Sequence, residues 1–140
     1  MDKDPFGNLM EWGAVLDQLN DLELTGKLAD CQAGLIRILR FNGNWRLRET
    51  VLKSVTKIET PKTELLAEVL NIIMADNIYY EARILACEAL QQTIKHCRSL
   101  QKDHEILSQV PVADKLNLLV KTPHPPIFFN AIDNCLKNLK

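Results

Sequence analysis

The chain has 140 residues, 46% apolar and 25% charged, with 17 Lys and Arg against 18 Asp and Glu. That is enough for one compact domain or a short stack of repeats with a real core, and the near-neutral total argues against a dedicated nucleic-acid binder. No apolar run reaches the roughly 18 to 20 residues of a membrane span, and "MDKDPFGNLMEW" places two acids ahead of any apolar stretch, so neither a membrane segment nor a secretory signal is read and a cytoplasmic protein is expected.

Leu9, Trp12, Val15, Leu16 and Leu19 recur at helical spacing and predict a short first helix, broken at "NDLELTG". Leu28, Cys31, Leu35, Ile38 and Leu39 predict the next, ending near "FNGN". Asn42-Gly43 is a strong hairpin dipeptide, but no strand-like alternation flanks it. Gly43 is instead expected to end a helix with positive φ, and Asn44 to cap the helix that carries Trp45, Leu47, Val51, Leu52, Val55 and Ile58. Thr60-Pro61 predicts a cap and a first helical proline ahead of Leu65, Leu66, Val69, Leu70 and Ile73. A long helix follows over 78–96, then a looser stretch over 97–111 with room for one short helical turn. A short helix is read in "VADKLNLLVKT", and after "PHPP" a last one runs over 127–139.

The usual signatures of chemistry are missing. There is no G-x-S-x-G, no Walker A and no G-x-G-x-x-G, and five glycines offer no phosphate-cradling loop. Cys31, Cys87, Cys97 and Cys135 are widely spaced with no CxxC pair, which fits buried free thiols. His96, Cys97 and His104 lack the paired spacing of a zinc site, and His124 has no ligand companion in sequence. Glu64 with Glu68, and Glu81 with Glu88, share helix faces beside lysines and arginines, as solvated surface does. No catalytic residue, metal or cofactor is therefore expected.

Charge is unevenly spread. Residues 1–30 carry seven acids against two bases, and residues 31–60 carry six bases against two acids. Arg37, Arg40, Arg46, Arg48, Lys53 and Lys57 fall on two consecutive predicted helices around one corner. Turned one way, they would bind phosphates by counterion release or meet an acidic protein partner; alternatively, the acidic first helix folds back over them.

Internal similarity links three segments. Aligning "WRLRETVLKSVTKI" with "YYEARILACEALQQTI" and "PIFFNAIDNCLKNL" brings Leu47, Ala82 and Phe128 together, then Val51, Ala86 and Ile132, then Ser54, Ala89 and Cys135. Each copy follows a shorter apolar helix. "LRETVLKSV" and "ARILACEAL" resemble the Val-Arg-x-x-Ala-x-x-Ala-Leu pattern of HEAT-like and armadillo-like repeats, over about residues 26–139. The resemblance implies that Arg48 and Arg83 lay their stems along neighbouring helices and bond to groups at the repeat junction. "NWRLRETVL" is also similar to the tryptophan-arginine helix starts of HEAT-like DNA glycosylases, but no aspartate lies near Trp45, so their chemistry does not carry over.

The fold expected from this resemblance is all-α: a short right-handed solenoid of about three HEAT-like hairpins over 26–140, capped by a helix within 1–25. The expected function is a non-catalytic protein-interaction scaffold, with Arg46, Lys53 and Tyr80 on the inner face and Phe129 at the rear as contact residues. Ile127, Phe128, Phe129 and Ile132 are expected to leave apolar surface at the C-terminal end, which would favour a homodimer or a docked partner. The alternative function is nucleic-acid binding through Arg37, Arg40, Arg46, Lys53 and Lys57.

Overall fold

A computed structural model describes residues 2–139. Among them there are eight α-helices and no strand: α1 (Trp12–Leu24), α2 (Gln32–Arg40), α3 (Trp45–Val55), α4 (Thr63–Met74), α5 (Tyr80–Ser99), α6 (Asp103–Gln109), α7 (Val112–Leu119) and α8 (Pro126–Lys137). A 3₁₀ turn over Leu28–Cys31 leads into α2. None of these helices is long and apolar enough to cross a membrane.

The helices pack in two rows. α1, α3, α5 and α8 touch in that order along one row, and α2, α4 and α7 along the other. Across the rows, α2 pairs with α3, α4 with α5 and α7 with α8, while α6 rests on α5. The apolar positions at i, i+3 and i+4 bring this about. On α3, Leu47, Val51, Leu52 and Val55 are fully buried, and on α4 Leu65, Leu66, Val69 and Ile73 are too. Each such side chain contributes roughly 1.5–3 kcal/mol by leaving water. The aligned positions are buried in all three segments: Leu47, Ala82 and Phe128; Val51, Ala86 and Ile132; Ser54, Ala89 and Cys135.

Several helix ends differ from the sequence reading. α1 continues through "NDLEL" to Leu24, and the left-handed glycine that follows it is Gly26, with φ 70°. Gly43 is not left-handed. The Phe41 ring lies where a side chain at Gly43 would go, so a larger residue there would have to push that ring aside. Asn44 does cap α3, its side chain accepting from the Arg46 N–H at 2.9 Å. Thr60-Pro61 does not cap α4, which starts at Thr63. The buried Gln32 stands in from across the core: its Oε1 accepts from the Lys62 N–H at 2.7 Å and its Nε2 donates to the Thr60 carbonyl at 3.2 Å. α5 runs on through Cys97 to Ser99, and α6 occupies seven residues of the stretch expected to be loose.

The N-terminal segment also packs, which periodicity alone did not indicate. Asp2 Oδ1 accepts from the Ala33 N–H at 2.7 Å, the Lys3 N–H donates to the Asp30 carbonyl at 2.8 Å, and the Phe6 ring covers Gly34 in the space a Cβ would fill. At the other end, Phe128 and Ile132 are fully buried, contrary to the expectation that they stay open, because α8 lays both into α5. Ile127 (63% exposed), Leu118 and Val120 are the large apolar side chains left outside there, with Phe129 half-buried.

Candidate binding edge

α3 and α5 begin alike. Each opens on an aromatic residue, Trp45 or Tyr80, with an arginine three positions on, Arg48 or Arg83. Residues three apart share a helix face, so ring and guanidinium meet over the first turn. The Arg48 guanidinium lies 4.4 Å from the Trp45 centroid, and that of Arg83 lies 5.1 Å from Tyr80 and 4.5 Å from Phe128. Both arginines are buried, Arg48 to 6% exposure and Arg83 to 2%.

Their polar atoms are only partly satisfied. Arg83 Nε donates to the Ile73 carbonyl at 2.9 Å, pairing an end group of α4, while its Nη2 is buried without a partner. Arg48 Nη2 donates to Asn42 Oδ1 at 2.7 Å, while its Nε is buried without a partner. Burial lowers the Arg48 pKa, partly offset by the charge of Glu68. Both of these bonds stay within one helix pair, Arg48 to the α2–α3 turn and Arg83 to α4.

From these helix starts a line of rings and cations crosses the molecule. Trp12, at the head of α1 and 46% exposed, has the Arg46 guanidinium 5.8 Å from its centroid. Trp45 meets Tyr79 edge-on at 4.9 Å. The Tyr79 hydroxyl donates to Glu49; burial first, then this bond, pushes its pKa up to about 12. Tyr80 Oη is hydrogen-bonded to His124 Nδ1 at 2.9 Å, and His124 Nε2 to Thr122 Oγ1 at 2.8 Å. The His124 ring also lies edge-on to Phe128 and to Phe129, at 5.1 and 5.6 Å.

Of the contact residues read from sequence, Arg46, Tyr80 and Phe129 therefore fall on one edge, at the starts of α3, α5 and α8. Lys53 does not join them. It sits in the last turn of α3, about 10 Å further along the helix axis at 1.5 Å per residue. The basic corner is also divided. Arg37 is paired with Asp4 at 2.6 Å, Arg40 with Glu68 at 2.6 Å, and Lys57 with Glu23. With Arg48 buried, Arg46 and Lys53 are the exposed cations of the six that make no ion pair among the described residues.

A groove of about 430 Å³ opens beside this edge, lined by Arg40, Asn42, Trp45, Arg48, Asn71 and Asn77, with Leu39, Ile72 and Ile78 as its apolar floor. A second hollow of about 390 Å³, lined by Asn8, Leu9, Arg37 and Phe41, shares Arg40 with it. Neither the groove nor the part played by His124 was read from sequence. The repeated aromatic-x-x-Arg spacing was the available signal for the first, but His124 carried none, since its partners lie on other elements.

Among the described residues, no group of three or more His, Cys, Asp or Glu is placed to hold a metal ion. Cys31, Cys87, Cys97 and Cys135 are all buried and unpaired, and burial pushes the Cys135 thiol up to about 12, away from a reactive thiolate. A scan against models of known protein families finds no match for this chain, and neither the curated proteins nor the solved structures yield one.

Proposed function

We propose that this chain is a short right-handed α-solenoid of three HEAT-like hairpins, α2–α3, α4–α5 and α7–α8, capped by α1, and that it acts as a non-catalytic protein-binding scaffold. The order of helix contacts and the shared burial of the aligned positions support the repeat reading. The observation that carries the binding role is the run of exposed Trp12, Arg46 and Tyr79 around the half-buried Trp45, beside an open groove. Aromatic and arginine side chains held by rigid helix starts give large contact area at low entropic cost, and they dominate protein interfaces. The nucleic-acid reading has less support, since Asp4, Glu68 and Glu23 already occupy three of its cations.

Site-specific photo-cross-linking in cells tests this. A photoreactive phenylalanine at position 12 or 79 is expected to give discrete adducts that protease removes and nuclease leaves intact. The same group at position 24, also exposed but at the far end of α1, is expected to give none. Equal labelling at all three positions overturns the proposal, and nuclease-sensitive adducts replace it with the nucleic-acid reading.

A further inference from the structure

Three arginines near this groove present the same edge, the side of the guanidinium formed by Nε and Nη2. On Arg37 that edge is full: Nε donates to Asp4 Oδ2 at 2.6 Å and Nη2 to Asp4 Oδ1 at 2.9 Å. On Arg40 both nitrogens lie close to Glu68 Oε1, at 2.7 and 2.6 Å. On Arg48 the edge is half-filled. Asn42, in the exposed turn before α3, offers a single amide oxygen to Nη2, and Nε has no acceptor. A carboxylate carries two oxygens at the spacing of this fork, and such paired, charge-assisted bonds are stronger than a neutral one.

The charges agree with the geometry. The groove holds the guanidiniums of Arg40 and Arg48 against the single carboxylate of Glu68, so one more carboxylate balances it. Arg83 has a half-filled edge as well, but it lies beneath Tyr80 and Phe128 and lines none of the cavities described here. The groove and the neighbouring hollow lie on either side of Arg40, so chain flanking an internal acidic residue has a second concave surface beside the groove.

We propose that this groove receives an aspartate or glutamate side chain of a protein partner, whose carboxylate displaces the Asn42 amide and takes both nitrogens on the Nε/Nη2 edge of Arg48. Asn42 is then a placeholder that keeps the guanidinium partly satisfied until the ligand arrives. The proposal rests on the protein-binding reading above, and it names the group that reading would recognise.

The test uses the full chain and two capped tripeptides, acetyl-Leu-Asp-Leu-amide and its Asn counterpart, followed by NMR at the Arg48 Nε–H and the Trp45 indole. The Asp peptide is expected to bind at least tenfold tighter than the Asn peptide and to shift the Arg48 Nε–H, since a buried charge discriminates strongly when its partner is neutral. Asn42→Ala should tighten that binding several-fold. Asn42→Asp should abolish it and raise the melting temperature, by supplying the carboxylate from within.

Equal affinity for the two tripeptides overturns the proposal, as does full binding by Asn42→Asp or the absence of any saturable shift. Tighter binding of acetyl-Leu-Leu with a free carboxylate, or of inorganic phosphate, would also overturn it, in favour of a chain end or a phosphate. Cross-linking at positions 12 and 79 does not depend on Asn42, so failure here leaves the broader reading to stand or fall separately.

Discussion

Arg48 and Arg83 start from the same local design and end in different surroundings. Each is the fourth residue of a helix that opens on an aromatic ring, and each is buried. Arg83 is sandwiched, with Tyr80 of its own helix on one side and Phe128 of α8 close by. In the aligned position, the row neighbour of α3 offers Ala82, a methyl group in place of a ring. Arg48 has the Trp45 ring and the Asn42 side chain against its guanidinium, and it lines an open groove. One arginine is part of the packing between helix pairs, and the other is available.

The sharpest way to break this comparison is to truncate both arginines. Arg83→Ala should cost about 3 kcal/mol, because it empties a site enclosed by two rings and unpairs the Ile73 carbonyl at the end of α4. Arg48→Ala should cost about 1–2 kcal/mol, since water can enter from the groove and Asn42 can turn to solvent. Urea unfolding of the two variants checks the order, and equal losses would mean that both arginines are structural in the same way.

A smaller effect distinguishes the two helix starts. Asn44→Ala should cost about 1 kcal/mol by freeing the Arg46 N–H and should speed hydrogen exchange there. α5 has no side-chain cap at Tyr79, so its first turn depends on tertiary contacts instead. Tyr79→Phe, which removes the bond to Glu49 but keeps the ring on Trp45, should leave exchange in α5 nearly unchanged. Amide exchange of the two variants measures this directly.

The smallest effect concerns the filled arginine, Arg37. Its guanidinium, with the Phe6 N–H, holds the Asp4 carboxyl below its ordinary range, and the Ala33 N–H does the same for Asp2. A carboxyl whose pKa is lower in the folded state stabilises fully above its unfolded value, near 4, and the contribution fades as pH falls through the folded value. Both groups are partly solvated, so the change in global stability should be slight. The expected readout is local. The Phe6 and Ala33 amides should shift together below about pH 4, while those of α5 stay put.

The helices themselves were legible in the sequence because helical periodicity is local. A buried stripe at i, i+3 and i+4 announces α3, α4 and α5 whatever surrounds them, and Asn44 caps from two residues away. The kinship of Arg48 and Arg83 was legible for the same reason. Local patterns could not show which cations would find acids. Asp4 reaches Arg37, Glu68 reaches Arg40 and Glu23 reaches Lys57 across 28 to 34 residues of chain, and those meetings depend on how whole helices are set against one another. Nor could they show that Gln32 would do the work expected of Thr60, or that Phe6 would close over Gly34.

What the sequence determined by itself was the all-helical class, the Asn44 cap of α3 and the kinship of Arg48 and Arg83, since each rests on pattern within a few residues of chain. Only the tertiary structure decided that Arg83 is enclosed while Arg48 keeps a half-empty fork beside a groove. That difference depends on what other elements place around each guanidinium, and no spacing along α3 records it.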